Sequence, residues 1–147
     1  MKHMLFFVAI VLVGLVSSCK KDETPEPTPQ ELIVGKWKAS KALIGSTNAL
    51  TVSASAKTEL EVEFTQDGKV IFTWQNYDLT TNPPSLIEFN LNGIYSWNGD
   101  QFTITVQNGS DTRTVIGSMA VTSTTFVFTG TSGDIATFIS LLEATKL

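Results

Sequence analysis

Histidine and cysteine are almost absent from this 147-residue chain. The only histidine is His3 and the only cysteine is Cys19, both near the amino terminus. The remainder therefore lacks the side chains of Ser-His-Asp and Cys-His catalysis, of histidine acid–base chemistry and of the usual zinc and copper sites. It also cannot form internal disulfides, so packing must stabilise the fold. We accordingly predict no enzymatic activity, no metal and no cofactor.

The chain also lacks an apolar run long enough to cross a bilayer as a helix. The longest run, Leu5–Val16, has about 12 residues and follows Lys2, whereas a transmembrane helix needs roughly 20. A charged start followed by an apolar run of this length is typical of a secretory signal peptide. We predict that residues 1–18 are such a signal and are removed.

The end of the apolar run resembles the lipobox of bacterial lipoproteins. Val16-Ser17-Ser18-Cys19 contains the aliphatic residue, the two small residues and the cysteine in the required order. The resemblance implies cleavage before Cys19, diacylglycerol on its sulfur, and a fatty acid such as palmitate on its new amino group. Two or more acyl chains anchor a protein stably in a membrane. The alternative is an ordinary signal peptide followed by a chance cysteine.

The residues after Cys19 predict a location and a tether. Lys20-Lys21-Asp22-Glu23 resembles the export signal of surface lipoproteins in one phylum of Gram-negative bacteria, although such charges also suit a solvated tether. We expect a protein lipid-anchored in the outer membrane and exposed on the cell surface. Alternating prolines in residues 19–31 predict an extended, semi-rigid tether. From residue 20 onward it spans at most roughly 37 Å.

Acidic residues outnumber basic residues by 14 to 10, which gives a formal net charge of −4. Removal of Lys2 with the signal takes this charge from −4 to −5. Nucleic-acid binding needs a basic patch, and no cluster of Lys or Arg follows residue 41. We therefore predict that nucleic acid is not a partner.

Residues 32–147 have the pattern of a single all-β domain. Apolar residues alternate with other residues in Thr58–Thr65 and again in Val70–Gln75, with a turn signature at Gln66–Lys69 between them. This is the pattern of a β-hairpin. We also predict a first strand over Ile33–Ile44, and a break near Ser53–Lys57 because an uninterrupted second strand would be very long.

Turn signals divide the rest of the domain. We predict turns at Asn98–Asp100, Asn108–Asp111 and Ser123–Thr125, a loop over Tyr77–Ser85, and a bend or bulge at Gly93. Residues 134–147 fit either a helix capped by its first residue or a strand, and we favour the strand. The result is eight strands in meander order, which predicts an antiparallel up-and-down barrel, with a β-sandwich as the alternative.

The domain resembles small bacterial lipocalin-like lipoproteins. Gly35-x-Trp37 at the start of the first strand is similar to the GxW motif of lipocalins, and the run from Gly93 to Asp100 also fits. The resemblance implies that Trp37 plugs one barrel end, where lipocalins pack an Arg from a late strand over the ring. The only Arg here is Arg113, and the last strand offers Lys146.

Aromatic residues form the candidate ligand site: Trp74, Tyr77, Tyr95 and Trp97. They could line an apolar pocket at the barrel mouth, with Tyr77 exposed in a loop, and bind a small apolar or amphipathic ligand. An eight-stranded barrel has room for side chains or for one small ligand. The alternative is a filled barrel that acts as an interaction module, recognising a protein partner or a surface glycan.

Two sets of carboxylates fit surface and turn positions better than catalysis or metal binding. One set lies on a single strand face at a spacing of roughly 6.5–7 Å, which overlaps that of inverting glycosidases, but a solvated face is the better interpretation. The other set lies in turns and could bind calcium, but no calcium motif is present, so turn chemistry is preferred. The sets are Glu59, Glu61 and Glu63, and Asp100, Asp111 and Asp134.

Overall fold

The computed structural model describes residues 25–147. The predicted signal peptide, Cys19 and the first part of the predicted tether lie outside the described residues, so what was predicted for them stays a prediction. Within the described part of the chain, no helix combines the length and the apolar character needed to cross a membrane.

The described chain forms one short helix and nine strands. They are α1 (Pro29–Ile33), β1 (Gly35–Ile44), β2 (Thr47–Asn48), β3 (Ala56–Phe64), β4 (Lys69–Asp78), β5 (Ser85–Asn98), β6 (Gln101–Asn108), β7 (Asp111–Val121), β8 (Thr125–Gly133) and β9 (Ile139–Lys146). The sheet has the order β2-β1-β3-β4-β5-β6-β7-β8-β9, and β1 also pairs antiparallel with β9. Eight strands thus close an antiparallel barrel, as predicted, and the two-residue β2 is an addition beside the end of β1.

Glycines lie in the turns where the sequence predicts them. Gly68, Gly99 and Gly109 have φ angles of +83°, +61° and +63°, a region that suits glycine. The predicted loop over Tyr77–Ser85 is shorter than expected and spans residues 79–84. It is shorter because β4 and β5 continue to pair as far as Asp78 and Ser85.

Gly93 has a different role from the predicted bulge. The pairing of β5 with β4 and with β6 runs through Gly93 without a register shift. A Cβ atom at this position would overlap the backbone oxygen of Thr105 and crowd the side chain of Val106. Glycine is therefore required because a neighbouring strand approaches closely.

The last segment combines a turn with a strand. β9 confirms the strand prediction for residues 139–146. Residues 134–138 instead form one helical turn, in which the backbone N–H of Phe138 donates to the oxygen of Asp134 at 2.8 Å. That turn carries the ring of Phe138 into the core. The predicted break near Ser53–Lys57 is also present, since β3 begins at Ala56.

The barrel interior is filled with apolar side chains over most of its length. The ring of Phe64 lies 5.1 Å from Tyr95, 6.1 Å from Phe102 and 5.7 Å from Phe126, in edge-to-face arrangements that aromatic rings prefer. These rings fill the barrel at this level. The largest fully buried side chains are Trp37, Phe64, Phe72, Phe102, Phe126, Phe128, Ile33, Leu60, Ile104, Ile139, Leu142 and Val62.

Trp37 lies buried at one end of the barrel. Its ring is fully buried, and its indole N–H donates to the backbone oxygen of Ile33 at 2.7 Å. The ammonium of Lys146 lies 5.0 Å from the ring centre and donates to the oxygen of Leu32 at 3.2 Å. Lysine, not arginine, therefore lies over this ring.

A short helix leads into this end. We predicted an extended tether up to residue 31 and a strand from residue 33, but the chain turns helical at Pro29. The reason is a capping box: the side chain of Thr28 accepts from the backbone of Glu31, and the Glu31 carboxylate accepts from the backbone of Thr28. Proline at the first helical position suits this start because it needs no donor there.

Candidate functional site

The two ends of the barrel differ. The closed end is formed by α1, Trp37, the turn at residues 65–68 and the end of β9. The open end lies opposite, where β1, β4, β6 and β8 finish and β9 begins. Since α1 packs at the closed end, the described chain enters the barrel there, and the open end faces the other way.

A pocket of about 260 Å³ lies at the open end. Trp74 and Phe89 face each other across β4 and β5 and stack with ring centres 6.2 Å apart and planes at 10°. Trp74 is almost buried, whereas Phe89 is roughly half exposed. The full lining is Ile44, Ala49, Trp74, Phe89, Leu91, Val106, Asn108, Asp111, Arg113, Thr137 and Phe138.

The pocket exists because β5 leaves its neighbour β6. The two strands pair only as far as Asn92 and Gln107, while β5 continues beside β4 up to Ser85. Between Ser85 and Leu91, β5 is therefore paired only on the side of β4. The inner face of β5, with Phe89 and Leu91, forms one wall of the resulting cleft.

One side of the pocket is polar. The guanidinium of Arg113 pairs with the carboxylate of Asp111 at 2.9 Å and donates to the backbone oxygen of Thr137. Asn108 lies beside them in the lining. An apolar interior with hydrogen-bonding groups at its rim suits an amphipathic molecule, whose tail enters the pocket while its polar end stays at the rim.

Trp74 is the one predicted ligand residue that lies in this pocket. Tyr77 does not: it belongs to β4, not to a loop, and its position is of the opposite parity to Trp74, so its side chain lies on the outer surface. There its hydroxyl donates to Gln75 at 3.2 Å, and the ammonium of Lys57 lies 5.6 Å from its ring centre. The placement of Tyr77 at the mouth was wrong because β4 continues two residues further than the sequence indicated.

Tyr95 and Trp97 lie at the closed end. The hydroxyl of Tyr95 donates to the backbone oxygen of Thr65 at 2.7 Å, and burial, followed by the charge of Asp67, raises the pKa of Tyr95. The ring of Trp97 lies 4.7 Å from that of Phe102. Both residues line a cleft of about 580 Å³ together with Gln30, Glu31, Val34, Gln66, Gly68 and Ser96.

The predicted residues therefore belong to three places, and sequence reasoning missed most of the open-end pocket. Phe89 shares the parity of Tyr95 and Trp97, which correctly identified it as inward-facing, but nothing local indicated that it stacks on Trp74. Arg113 and Phe138 reach the pocket from β7 and from the turn before β9. No sequence signal places these distant elements beside each other.

Two of the three carboxylates on β3 form ion pairs with lysines, and Glu63 is also solvated, with 39% of its side chain exposed. The side chain of Glu59 is only 16% exposed and lies 3.0 Å from the ammonium of Lys38 and 2.6 Å from that of Lys57. Hydrogen bonds from Lys57 and then from Lys38 lower the pKa of Glu59. Glu63 pairs with Lys36 at 3.5 Å. Glu59 and Glu63 thus neutralise Lys36 and Lys38 of the neighbouring strand β1 and Lys57 of β3 itself.

Two of the three turn aspartates, Asp111 and Asp134, make polar contacts within the fold. The Asp134 carboxylate accepts from the backbone N–H of Thr114 at 2.7 Å, and Asp111 pairs with Arg113. Among residues 25–147, no three His, Cys, Asp or Glu side chains lie close enough together to hold a metal ion.

No family model, no curated protein and no solved structure matches the chain. The closed eight-stranded antiparallel barrel is compatible with a lipocalin-like fold. The site is therefore interpreted from its own geometry.

Proposed function

We propose that this protein is a bacterial lipoprotein that binds a small apolar or amphipathic ligand, without chemical turnover, in its open-end pocket. The pocket itself is the observation that supports this proposal. At roughly 30 Å³ per small group, a volume of about 260 Å³ accommodates on the order of nine non-hydrogen atoms. This lies just below the range of pockets for drug-sized molecules.

The position of the pocket suits a protein held at the outer membrane. The tether that we predict from Cys19 would join the barrel at its closed end, through α1. The pocket would then open away from the membrane and toward the cell exterior. Mass spectrometry of the membrane-extracted protein tests the anchor, since an unmodified Cys19 would contradict it, and protease treatment of intact cells tests the surface location.

Octanol and octanoate are suitable probes because each has about the size of the pocket. Burying six or seven methylene groups at about 0.8 kcal/mol each contributes about 5 kcal/mol, so the dissociation constants should be no tighter than roughly 0.1 mM, and the cost of association weakens them further. The chain has three tryptophans, so its NMR spectrum contains three indole N–H signals. Either probe should shift the Trp74 signal in a saturable way and leave that of Trp37 unchanged.

A pair of variants tests the location. Leu91→Trp enlarges a side chain in the pocket wall and should abolish the shift of the Trp74 signal. Ile94→Trp places the same ring on the outer surface of the same strand and should leave binding intact. Equal affinity of both variants for octanol, or the absence of any saturable shift in the natural protein, would exclude the pocket as the binding site.

A second candidate function uses the closed-end cleft. Trp97 is only partly buried there, and the amide side chains of Gln30 and Gln66 line the same space. An aromatic face beside amides suits a sugar ring of a surface glycan. A soluble oligosaccharide that shifts the Trp97 indole signal, with Trp74 unchanged, would favour this function over binding at the open end.

A further inference from the structure

The outer half of β5 is a free sheet edge. Residues 85–91, which we call the β5 edge, pair with β4 on one side, from Ser85 opposite Asp78 to Leu91 opposite Phe72. On the other side the pairing with β6 ends at Asn92. Within the described chain, no other strand pairs with this edge.

The parity of the strand shows which backbone groups are free. The N–H of Tyr95 donates to the oxygen of Gly68, at the start of β4, and β4 and β5 pair without a register shift. In an antiparallel pair, alternate residues direct both backbone groups to the same neighbour. Odd-numbered residues of β5 therefore bond to β4, and Leu86, Glu88 and Asn90 direct their N–H and C=O groups away from it.

The β5 edge is largely apolar, and Glu88 is its only charged side chain. Ile87 is 69% exposed, and Leu86 and Phe89 are about half exposed. Natural sheet edges avoid self-pairing with lysine, proline, bulges or very short strands. The seven residues of this edge contain no lysine, no proline and no register shift.

We propose that the β5 edge pairs antiparallel with the β5 edge of a second copy of this chain, about a twofold axis at Ile87. A twofold axis lets the same free donors and acceptors satisfy each other in both copies. The pairing joins Leu86 to the partner's Glu88, and Ile87 to the partner's Ile87. The inner faces of both edges lie on the same side of the new sheet, so the exposed apolar rows become continuous.

Charge and space select this register. An axis at Glu88 would place two carboxylates directly opposite each other, which destabilises a strand pair. An axis at Phe89 would place Ser85 of the second copy opposite Gly93, where β6 already pairs. The axis at Ile87 avoids both conflicts.

The contact is short, so the dimer is a weak one. Five paired residues span about 17 Å, and such a contact buries less than the roughly 1,200–2,000 Å² of stable interfaces. The axis also inverts the second barrel, and the predicted tethers leave from opposite ends. This arrangement is unfavourable for two copies whose closed ends are both held at one membrane, so the pairing is tested with the full chain in detergent solution.

Cysteine cross-linking tests the register. Opposed residues whose backbone groups point away from each other have Cα atoms about 4.5 Å apart, within the range that a disulfide spans. Mild oxidation of Ile87→Cys should give a covalent dimer about tenfold faster than oxidation of Ile94→Cys. Ile94 is a matched control because it is 61% exposed on the same strand but outside the edge. The natural protein, treated in the same way, measures any cross-linking through Cys19.

Equal cross-linking rates for the two cysteine variants would overturn the proposal. The proposal would also be overturned if Ile87→Cys formed an adduct only in cells and the mass of this adduct were not twice that of the chain. The β5 edge would then bind a different protein.

A proline substitution tests the backbone pairing separately. Glu88→Pro removes an N–H that points to the free side, so the barrel should tolerate it, whereas Glu88→Ala removes the same side chain and keeps the N–H. Combined with Ile87→Cys, the proline should lower the cross-linking rate about tenfold relative to the alanine. Equal rates, with both proteins folded by circular dichroism, would rule out strand pairing.

Discussion

Replacing Trp37 by phenylalanine should destabilise the barrel far more than the same replacement of Trp74. Trp37 is fully buried and its indole N–H is bonded to the oxygen of Ile33 at 2.7 Å. Trp74 is nearly as buried, but within the described chain its indole nitrogen makes no hydrogen bond. The two variants delete the same atoms, so the difference between them isolates the polar contacts of Trp37.

The expected loss of stability for Trp37→Phe is about 3 kcal/mol. Leaving the oxygen of Ile33 unpaired in the core costs about 1–3 kcal/mol. The space lost between indole and phenyl, on the order of 40 Å³, costs about 1 kcal/mol at roughly 24 cal/mol per Å³. Weaker attraction between the ring and Lys146 adds up to about 0.5 kcal/mol. Trp74→Phe loses only the volume contribution, about 1 kcal/mol.

Urea unfolding followed by circular dichroism gives the free energy of unfolding of both variants and of the natural protein. Thermal unfolding gives a second measurement, because for a domain of this size a loss of about 3 kcal/mol lowers the melting temperature by on the order of 10 °C. If the two variants lose the same stability within about 0.5 kcal/mol, the hydrogen bond and the Lys146 contact do not stabilise the closed end, and the interpretation of Trp37 as a plug held by polar contacts is refuted.

Three further substitutions test the sheet and its charges. Gly117→Ala should lower the free energy of unfolding by about 3 kcal/mol or more, because a Cβ there would overlap the backbone of Thr129. Gly99→Ala is the matched control, since a Cβ at that position meets no atom within 4 Å. It should lower the free energy of unfolding by only about 1–2 kcal/mol, because of the positive φ angle. Hydrogen bonds from Lys57 and Lys38 lower the pKa of Glu59 in the folded protein. The ionised Glu59 therefore stabilises the fold at any pH above its pKa in the unfolded chain. This stabilisation is lost as the pH falls through the pKa of Glu59 in the folded protein. The free energy of unfolding of Glu59→Gln should therefore depend less on pH below neutrality than that of the natural protein. At pH 7 it should be lower by up to about 1 kcal/mol. An unchanged dependence of this free energy on pH would contradict the ion-pair assignment.

Local patterns predicted the strands and turns well. Alternation over Thr58–Gln75 identified a hairpin whose observed strands differ from the prediction by only a few residues, because one face of each strand must be apolar wherever the other side is solvated. Glycine in the turns was equally informative, since Gly68 and Gly99 adopt positive φ angles that other residues avoid. The predicted bulge at Gly93 is absent, because a bulge and the close approach of a neighbouring strand both favour glycine and cannot be distinguished from the sequence.

The candidate site was predicted less well for a definite reason. The sequence identified aromatic residues and the faces that they share, but it could not assign them to the two ends of the barrel. Trp74 lies at the open end and Trp97 at the closed end, although both face inward. Tyr77 faces outward because β4 extends through it, and its parity then follows from the strand.

The sequence by itself determined an all-β chain, the identity of the residue that plugs one end, and the lack of the side chains that most catalytic and metal sites require. These properties depend on composition and on neighbours within a few positions. Only the tertiary structure decided where β5 parts from β6, and therefore where Phe138 and Arg113 meet Trp74 and which edge is left unpaired. Strand register and barrel closure join residues far apart in the chain, and no local pattern specifies where such a pairing stops.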